Sequence, residues 1–369
     1  MTSQVSLQQQ IEQLIRPEIR ALHAYPVGDA SGMIKLDAME NPYRWPQTML
    51  TEWQQLLADV ALNRYPHPKA PDVVDGLRAA MQVSDQYDIL LGNGSDEIIQ
   101  ILAMAVARPG ATILAPEPGF VMYKMIATFV GLNYAGVPLA DNFELDADAM
   151  LAAVSEHQPA LVFLAQPNNP TGNLWDEAAM RSIIEACAAN AQPGLVVMDE
   201  AYLPFSSRQH LYLLDEYSNV VVMRTLSKVG LAGLRLGLLI GRPEWLHELD
   251  KIRMPYNINV LTQASAAFAL RHYPVLVQQC EQIKATRTVL QDSLSAMGFA
   301  VYESEANFVL ARVPANRQAR ELFEQLKQQK ILIKCLDGGH PSLMGCLRFT
   351  VGSEPENAAL LSALQTLLA

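Results

Sequence analysis

Short apolar runs alternate with helical stretches through the middle of this chain. In Glu177–Ala189, for example, apolar residues recur at helical spacing between two such runs. Short apolar strands that alternate with helices are typical of a mainly parallel sheet covered by helices on both faces. We therefore predict an α/β fold of this kind. The predicted strands are Ala111–Ala115, Leu161–Ala165, Leu195–Met198, Val220–Met223 and Leu238–Ile240.

The pattern changes after a long helical stretch at Pro274–Met297. Further strand-like runs surround a helical stretch at Gln318–Gln329, which indicates a second, smaller α/β unit. We accordingly divide the chain into an N-terminal arm at residues 1–47, a large domain at 48–273 and a small C-terminal domain at 274–369. The N-terminal arm is expected to pack against the small domain. The additional strands are Ala300–Tyr302, Phe308–Ala311, Ile331–Ile333 and Leu347–Val351.

The composition excludes several classes of protein. The chain has 27 Lys and Arg residues against 38 Asp and Glu residues, and its net charge of −11 gives no support to nucleic-acid binding. No apolar run approaches the roughly 20 residues that cross a membrane. The N-terminus has neither the basic segment nor the apolar core of a signal peptide. We therefore expect a cytoplasmic protein that binds neither nucleic acid nor membranes.

The four cysteines and seven histidines are dispersed along the chain. No two cysteines form a C-x-x-C pair, and no two histidines stand at the spacing of metal ligands. The cysteines are typical of reduced core residues in a cytosolic protein, not of a disulfide framework or a zinc site. We expect no structural or catalytic metal.

Lys228 lies just beyond the apolar run Val220–Met223, near the hydroxyls of Thr225 and Ser227 and the guanidinium of Arg235 in sequence. A lysine that leaves a buried strand is costly to desolvate, so it needs a partner or a function. A Schiff base with pyridoxal phosphate is such a function, and the hydroxyls and the guanidinium would then hold the cofactor phosphate. The alternative is a solvated lysine in a loop, and this segment alone does not separate the two interpretations.

Two other predicted strand ends carry polar side chains that suit the same cofactor, because ligands of open α/β sheets bind outside the carboxyl ends of the strands. Asp199 follows Leu195–Met198 and would pair with a protonated pyridine nitrogen, while Tyr202 would hydrogen-bond the phenolic oxygen. Asn169 lies between two prolines in a turn after Leu161–Ala165. Alone, these segments also fit an acidic helix cap and a structural turn.

Three further side chains are candidates for ligand contacts. Ser95 follows Gly92 and Gly94 at a predicted helix start, where backbone N–H groups and the helix dipole favour a phosphate; helix capping by Ser95 is the alternative. Tyr123 has helical spacing and either stacks on a planar ring or lies in the core. Arg348 lies inside an apolar strand, where its fork suits a carboxylate or a phosphate, or else an internal salt bridge.

Taken together, these segments occur in an order and spacing that resembles the fold-type-I, pyridoxal-phosphate-dependent aminotransferases. The match runs from about Pro26 to the C-terminus and is closest to the histidinol-phosphate aminotransferases. Each motif is weak alone, whereas their order is highly specific. The motifs are Gly94-Ser95-Asp96-Glu97, Asn168-Asn169-Pro170-Thr171-Gly172, Asp199-Glu200-Ala201-Tyr202, Thr225-Leu226-Ser227-Lys228, Gly233-Leu234-Arg235 and Leu347-Arg348-Phe349-Thr350-Val351-Gly352.

The resemblance implies a role for each matched residue. Catalysis would depend on Lys228 as the Schiff-base lysine and proton shuttle, with Asp199 and Tyr202 on the cofactor ring. Tyr65 would reach across a homodimer interface into the neighbouring site. Lys334 stands where this family often has a second arginine, so its contact with an anion would be a point charge. Cofactor contacts are implied for Tyr65, Ser95, Asp96, Tyr123, Asn169, Asp199, Tyr202, Thr225, Ser227, Lys228 and Arg235, and substrate contacts for Tyr25, Glu40, Asn41, Lys334 and Arg348.

The resemblance also implies a transaminase that converts L-histidinol phosphate and 2-oxoglutarate to imidazole-acetol phosphate and L-glutamate, in histidine biosynthesis. Aminotransferases for aromatic amino acids and phosphate-recognising decarboxylases of the same fold remain alternatives. A cofactor-sensing transcription regulator on this fold would carry a basic DNA-binding domain, for which residues 1–47 and the net charge of −11 leave no room. We therefore expect an enzyme with small-molecule substrates.

Overall fold

The computed structural model describes residues 6–24 and 28–369, which contain the strands β1 to β13 and the α-helices α1 to α14. None of these described helices is both long and apolar enough to cross a membrane. In chain order, the strands β1 to β13 are Ile34–Lys35, Asp88–Asn93, Thr112–Glu117, Asn133–Pro138, Leu161–Ala165, Leu195–Asp199, Val220–Thr225, Leu236–Gly241, Ala300–Val301, Phe308–Arg312, Ile331–Leu332, Lys334–Cys335 and Cys346–Thr350. The helices α1 to α14 are Leu7–Leu14, Pro17–Arg20, Gln47–Ala58, Pro71–Met81, Ser95–Val106, Met122–Val130, Ala147–His157, Glu177–Ala189, Leu213–Glu216, Pro243–Asp250, Val260–Arg271, Tyr273–Ala296, Ala319–Gln328 and Glu354–Leu368.

Seven strands form the large sheet, in the spatial order β2-β8-β7-β6-β5-β3-β4. Strand β8 runs antiparallel to both of its neighbours, and every pair from β7 to β4 is parallel. The prediction of a mainly parallel sheet is therefore confirmed. Strand β5 and helix α8 have the predicted bounds, whereas β2 and β4, at the two edges of the sheet, were not predicted.

Alternate side chains of the central strands belong to two separate hydrophobic clusters. In β5, Val162 and Leu164 lie in one cluster, whereas Leu161 and Phe163 lie in the other. Successive side chains of a strand point to opposite faces, so both faces of the sheet are buried. Helices α5, α6 and α10 contribute buried residues to the second cluster, and α4, α7, α8 and α11 contribute to the first. Helices therefore cover the sheet on both faces, as expected.

A four-stranded antiparallel sheet, in the order β12-β13-β10-β9, lies in the C-terminal part of the chain. The N-terminal strand β1 pairs in parallel with β11, with Ile34 opposite Ile331. Beyond β1, the carbonyl oxygen of Leu36 accepts a hydrogen bond from the backbone N–H of Thr350 at 3.0 Å. The N-terminal segment is thereby fixed to the C-terminal part. The predicted domain boundaries at residues 47 and 273 stay predictions.

The packing of α5 on the large sheet leads to a prediction about stability. Leu102 is fully buried in the second cluster, whereas Met104 on the same helix is 39% exposed. Leu102→Ala removes apolar surface and leaves a cavity, so we expect the free energy of unfolding to fall by about 2–5 kcal/mol. Urea unfolding followed by circular dichroism measures this loss. The control Met104→Ala should lose about 1 kcal/mol or less, and equal losses for the two variants would contradict this packing.

Candidate active site

Strands β5, β6 and β7 run in parallel, so their carboxyl ends lie side by side along one border of the large sheet. We call this border, which crosses the strand ends, the edge of the large sheet. Strand β2 ends and β8 begins at the same edge, since Asn93 lies opposite Leu236 and Thr225 lies opposite Gly237 in the antiparallel ladders. Helix α5 starts there with Ser95. A cavity of about 430 Å³ lies at this edge and is the candidate active site.

Eleven of the residues predicted from the sequence line this cavity, although they are widely spaced along the chain. They bring an amine, carboxylates, phenols, hydroxyls and a guanidinium together in one place. These residues are Glu40, Ser95, Asp96, Tyr123, Asn169, Asp199, Tyr202, Thr225, Ser227, Lys228 and Arg235. The other lining residues, not selected from the sequence, are Ala38, Met39, Phe120, Ala165, Pro167, Ala201, Ala232 and Gly233.

Lys228 lies in a wide helical turn, Ser227–Leu231, directly after β7. Its Nζ donates to the carbonyl oxygen of Ala38 at 3.4 Å and lies 5.6 Å from the centroid of the Tyr202 ring. Burial, and then the nearby Arg348 guanidinium, lower the pKa of the Lys228 ammonium to about 8. The cavity therefore favours the neutral, nucleophilic amine more than water does.

Asp199 is the last residue of β6 and is buried. Its Oδ2 accepts a hydrogen bond from the Tyr123 hydroxyl at 2.5 Å, and its Oδ1 accepts one from the Ala201 N–H at 3.0 Å. The Tyr123 ring is itself held by stacking on Phe163, with the ring centroids 4.3 Å apart. Burial raises the pKa of Asp199 to about 6, and the two hydrogen bonds act against this rise. A buried carboxylate of this kind is suited to a charged N–H donor, whose positive charge would restore its ionised form.

A polar cradle is formed where β7 ends and α5 begins. Thr225 Oγ1 lies 2.9 Å from Ser227 Oγ and accepts a hydrogen bond from the Ser227 N–H at 3.1 Å. Arg235 Nη2 lies 3.4 Å from Asp96 Oδ2 at the first turn of α5. Gly94 has a φ of 81°, and a Cβ at this position would lie 2.6 Å from Arg235 Nη2. Glycine therefore permits the guanidinium to approach the helix start, and the hydroxyls, N–H groups and guanidinium together suit a phosphate.

Arg348, in β13, contacts the cavity wall through Asn169. Its Nη1 donates to Asn169 Oδ1 at 2.6 Å, and its Nη2 donates to the carbonyl oxygen of Asp37 at 3.0 Å. Lys334, in β12, is paired directly with Arg348 across the antiparallel ladder. Two cationic side chains therefore leave the same face of the four-stranded sheet, which we call the small sheet, and this face suits an anionic ligand.

Two other predicted residues lie elsewhere, and a third is not described by the structure. Asn41 does not line the cavity, and its Nδ2 donates at 3.1 Å to the carbonyl oxygen of Val229 in the turn that carries Lys228. Tyr65 is 81% exposed and stacks on Tyr256, with the ring centroids 4.6 Å apart. Tyr25 lies outside the described residues. The substrate roles of Asn41 and Tyr25 and the cofactor role of Tyr65 stay predictions.

The groups around the cavity fit the requirements of pyridoxal phosphate. They provide an amine with a lowered pKa for its aldehyde, a buried carboxylate for its ring nitrogen and the polar cradle for its phosphate. In the part of the chain that the structure describes, no group of three or more His, Cys, Asp or Glu residues is placed to hold a metal ion. The groups that line the cavity therefore suit an organic phosphate held beside a lysine.

The contact between Tyr123 and Asp199 leads to a prediction about ionisation. Tyr123→Phe removes the hydrogen bond to Oδ2 and keeps the ring, so the pKa of Asp199 should rise above about 6. Hydrogen bonds to charged groups contribute about 1.5–3 kcal/mol, which corresponds to a rise of about one to two pH units. NMR titration of the carbon-13-labelled carboxyl measures the change. The control is Tyr212→Phe, which removes a hydroxyl that bonds Glu177 and should leave the pKa of Asp199 as it is. An unchanged pKa of Asp199 in Tyr123→Phe would contradict the contact.

Comparison with known proteins identifies the family. The family model for aminotransferase class I and II matches residues 31–364. Histidinol-phosphate aminotransferase 2 of Cupriavidus pinatubonensis is 52% identical over 354 residues, which cover 96% of this chain and 96% of that protein. Histidinol-phosphate aminotransferase 1 of Ralstonia nicotianae is 51% identical over 361 residues, which cover 98% of this chain and 96% of that protein.

Solved structures agree with this result. Histidinol-phosphate aminotransferase from Sinorhizobium meliloti, in complex with pyridoxal-5'-phosphate, is similar with a TM-score of 0.84 and 25% sequence identity. The similarity covers 96% of this chain and 97% of that one. The chain therefore belongs to the class I and II aminotransferases.

Proposed function

We propose that this chain is a pyridoxal-phosphate-dependent histidinol-phosphate aminotransferase, which transfers the amino group of L-histidinol phosphate to 2-oxoglutarate in histidine biosynthesis. The observation that carries the proposal is the buried amine of Lys228, which shares one cavity with Asp199 and with the hydroxyls of Thr225 and Ser227. Two relatives with this name are 52% and 51% identical over almost the whole chain, which supports the same substrate class.

Lys228 is assigned two tasks in this reaction. When bound, pyridoxal phosphate supplies an aldehyde carbon that takes up amino groups and an electron-poor ring that accepts charge from the substrate's α-carbon. Lys228 Nζ holds the cofactor between turnovers and, as a free amine, moves the proton at the substrate's α-carbon. A proton shuttle must exist both as amine and as ammonium near neutral pH, and a pKa of about 8 satisfies this requirement.

The other residues of the cavity hold and orient the reacting groups. Asp199 would accept a hydrogen bond from the protonated ring nitrogen, and the hydrogen bond from Tyr123 would orient the carboxylate for that contact. Asn169 and Tyr202 line the same cavity, and we assign them to the phenolic oxygen. The charged ring nitrogen would offset the effect of burial on the pKa of Asp199, so the carboxylate would be ionised with the cofactor bound.

Substrate recognition is assigned to the cationic face of the small sheet. One pocket has to accept a phosphate monoester in one half-reaction and a dicarboxylate in the other. Arg348 suits both, because its planar fork binds the oxygens of a carboxylate or a phosphate in the same way. Lys334, opposite Arg348 in the ladder, adds a compact positive charge at the same face.

We also infer a homodimer in the cytoplasm. Tyr65 and Tyr256 stack on each other at the surface, and Leu62 and Met254, close to them in sequence, are exposed as well. Exposed apolar residues of this kind mark interaction surfaces. We propose that a second copy of the chain covers this surface, so that each copy contributes its Tyr65 to the site of the other. All four cysteines are free thiols, which is typical of a reducing compartment.

A substrate panel tests the proposed function. With 2-oxoglutarate as acceptor, we expect turnover of histidinol phosphate to exceed that of phenylalanine, tyrosine and histidine, because Arg348 and Lys334 would bind its phosphate. Glutamate formation and carbon dioxide release are measured for each donor. Faster turnover of phenylalanine or tyrosine would contradict the substrate, and release of carbon dioxide in place of glutamate would contradict the transaminase. Lys228→Ala is the control and should lose turnover by a factor of about 10⁴ or more.

Mixing two variants of low activity tests the shared site. In a dimer of Lys228→Ala with Tyr65→Ala, one of the two sites has both Lys228 and Tyr65 intact. Random reassociation of equal amounts should therefore restore about a quarter of the wild-type activity, although each variant alone is weakly active. The activity of the refolded mixture is measured against a mixture in which both chains carry Lys228→Ala. No gain over the separate variants would contradict a site completed by the partner's Tyr65.

A further inference from the structure

Three charged or titratable side chains form a buried cluster directly behind the candidate site, and the proposed reaction does not use them. Glu200 follows Asp199 in the chain, and Arg224 precedes Thr225. His210 comes from the loop between β6 and β7. Glu200, Arg224 and His210 are each no more than 2% exposed. Burial of charge on this scale is costly, so the cluster needs an explanation.

The Glu200 carboxylate is shared between the other two side chains. Its Oε2 accepts a hydrogen bond from Arg224 Nε at 2.8 Å and lies 2.7 Å from Arg224 Nη2. Its Oε1 accepts a hydrogen bond from the backbone N–H of His210 at 2.6 Å and lies 3.0 Å from His210 Nδ1. The backbone N–H of Glu200 also donates to the carbonyl oxygen of Met223 at 2.8 Å. One residue thus ties the ends of β6 and β7 together.

Packing is incomplete on one side of the cluster. A cavity of about 280 Å³ lies behind the site, and Glu200, Arg224, Thr225 and Val229 are among the residues that line it. Atoms that border a cavity lack part of the contacts that fix positions in a packed core. The hydrogen bonds of Glu200 therefore add to the packing that supports Asp199 and Thr225.

Charge balance within the cluster supports the same role. Burial alone would raise the pKa of Glu200, but Arg224 and His210 hold it below its usual value, so the carboxylate is ionised. Burial is also the main cause of the raised pKa of Asp199, and the neighbouring Glu200 charge adds to it. Arg224 therefore has two effects. It keeps Glu200 ionised, so that Glu200 can bind both strand ends, and its positive charge offsets the effect of the Glu200 charge on Asp199.

We propose that Glu200 is a positioning residue, which binds Arg224 and His210 and thereby sets the separation between Asp199 and the Thr225 turn. This inference rests on the proposed function, because those two points would hold the ring nitrogen and the phosphate of one rigid cofactor. A rigid ligand bound at both ends loses affinity when the separation of its contacts changes. A ligand without the phosphate keeps only the contacts with Asp199 and Lys228, whose long side chain adapts to a small shift, so it loses less affinity.

Equilibrium binding to the cofactor-free protein tests the proposal with two ligands. Pyridoxal phosphate engages both ends, whereas pyridoxal lacks the phosphate. In the double variant Glu200→Gln/Arg224→Gln both charges are removed together, so neither is left buried alone. We expect the Kd for pyridoxal phosphate to rise about tenfold or more, and the Kd for pyridoxal to change by less than about twofold. Absorbance titration gives both constants.

Asn219→Ala is the matched control. Asn219 directly precedes β7, at the opposite end of that strand from Thr225, and its buried Nδ2 donates to the carbonyl oxygens of Ile184 and Gly194. Loss of these bonds lowers stability without moving the carboxyl end of β7. Its thermal midpoint should fall, while both dissociation constants stay within about twofold of wild type.

Arg224→Lys provides a second variant for the case that the double variant does not fold. Lysine keeps the positive charge and lacks the planar guanidinium that binds Glu200 through two nitrogens. We therefore expect the Kd for pyridoxal phosphate to rise about threefold and the Kd for pyridoxal to stay unchanged. An unchanged Kd for pyridoxal phosphate in a folded variant would overturn the proposal, as would equal increases for both ligands. A wild-type protein that binds no pyridoxal phosphate would overturn the proposed function itself, and this inference with it.

Discussion

Parallel pairing of β5, β6 and β7 is the constraint on which the site depends. It brings Asn169, Asp199 and Thr225 to one edge of the large sheet, although the loops and helices between them span long stretches of chain. Both faces of the sheet are filled by side chains of two hydrophobic clusters. The polar side chains of the site therefore lie at the strand ends, where Lys228 follows β7 and α5 begins.

Burial has opposite effects on the two central ionisable groups. It lowers the pKa of Lys228 to about 8 and raises the pKa of Asp199 to about 6, so both side chains are shifted toward their neutral forms. A ligand with an aldehyde and a positively charged ring nitrogen meets both needs. The cluster around Glu200 acts behind these residues, since it fixes the strand ends from which Asp199 and Thr225 extend.

Strands with an unbroken apolar run and helices with a clear helical repeat could be predicted from the sequence. Edge strands and contacts between distant segments could not. Strand β5 and helix α8 have the predicted bounds because turn residues delimit an apolar run and a clear helical repeat. Strands β2 and β4 were not predicted, since edge strands are partly exposed and Gly92 and Gly136 interrupt their apolar pattern. The contact of Lys228 with the Ala38 carbonyl carries no side-chain signature, and the contact of Asn41 with Val229 depends on segments far apart in sequence.

A crystal structure of the protein prepared with pyridoxal phosphate would show whether the cofactor binds to Lys228 in this cavity. We predict continuous electron density from Lys228 Nζ to the cofactor, with Asp199 at the ring nitrogen and Thr225, Ser227 and Arg235 around the phosphate. Cofactor bound elsewhere, or bound in this cavity with the phosphate beside Asp199 and no bond to Lys228, would contradict it.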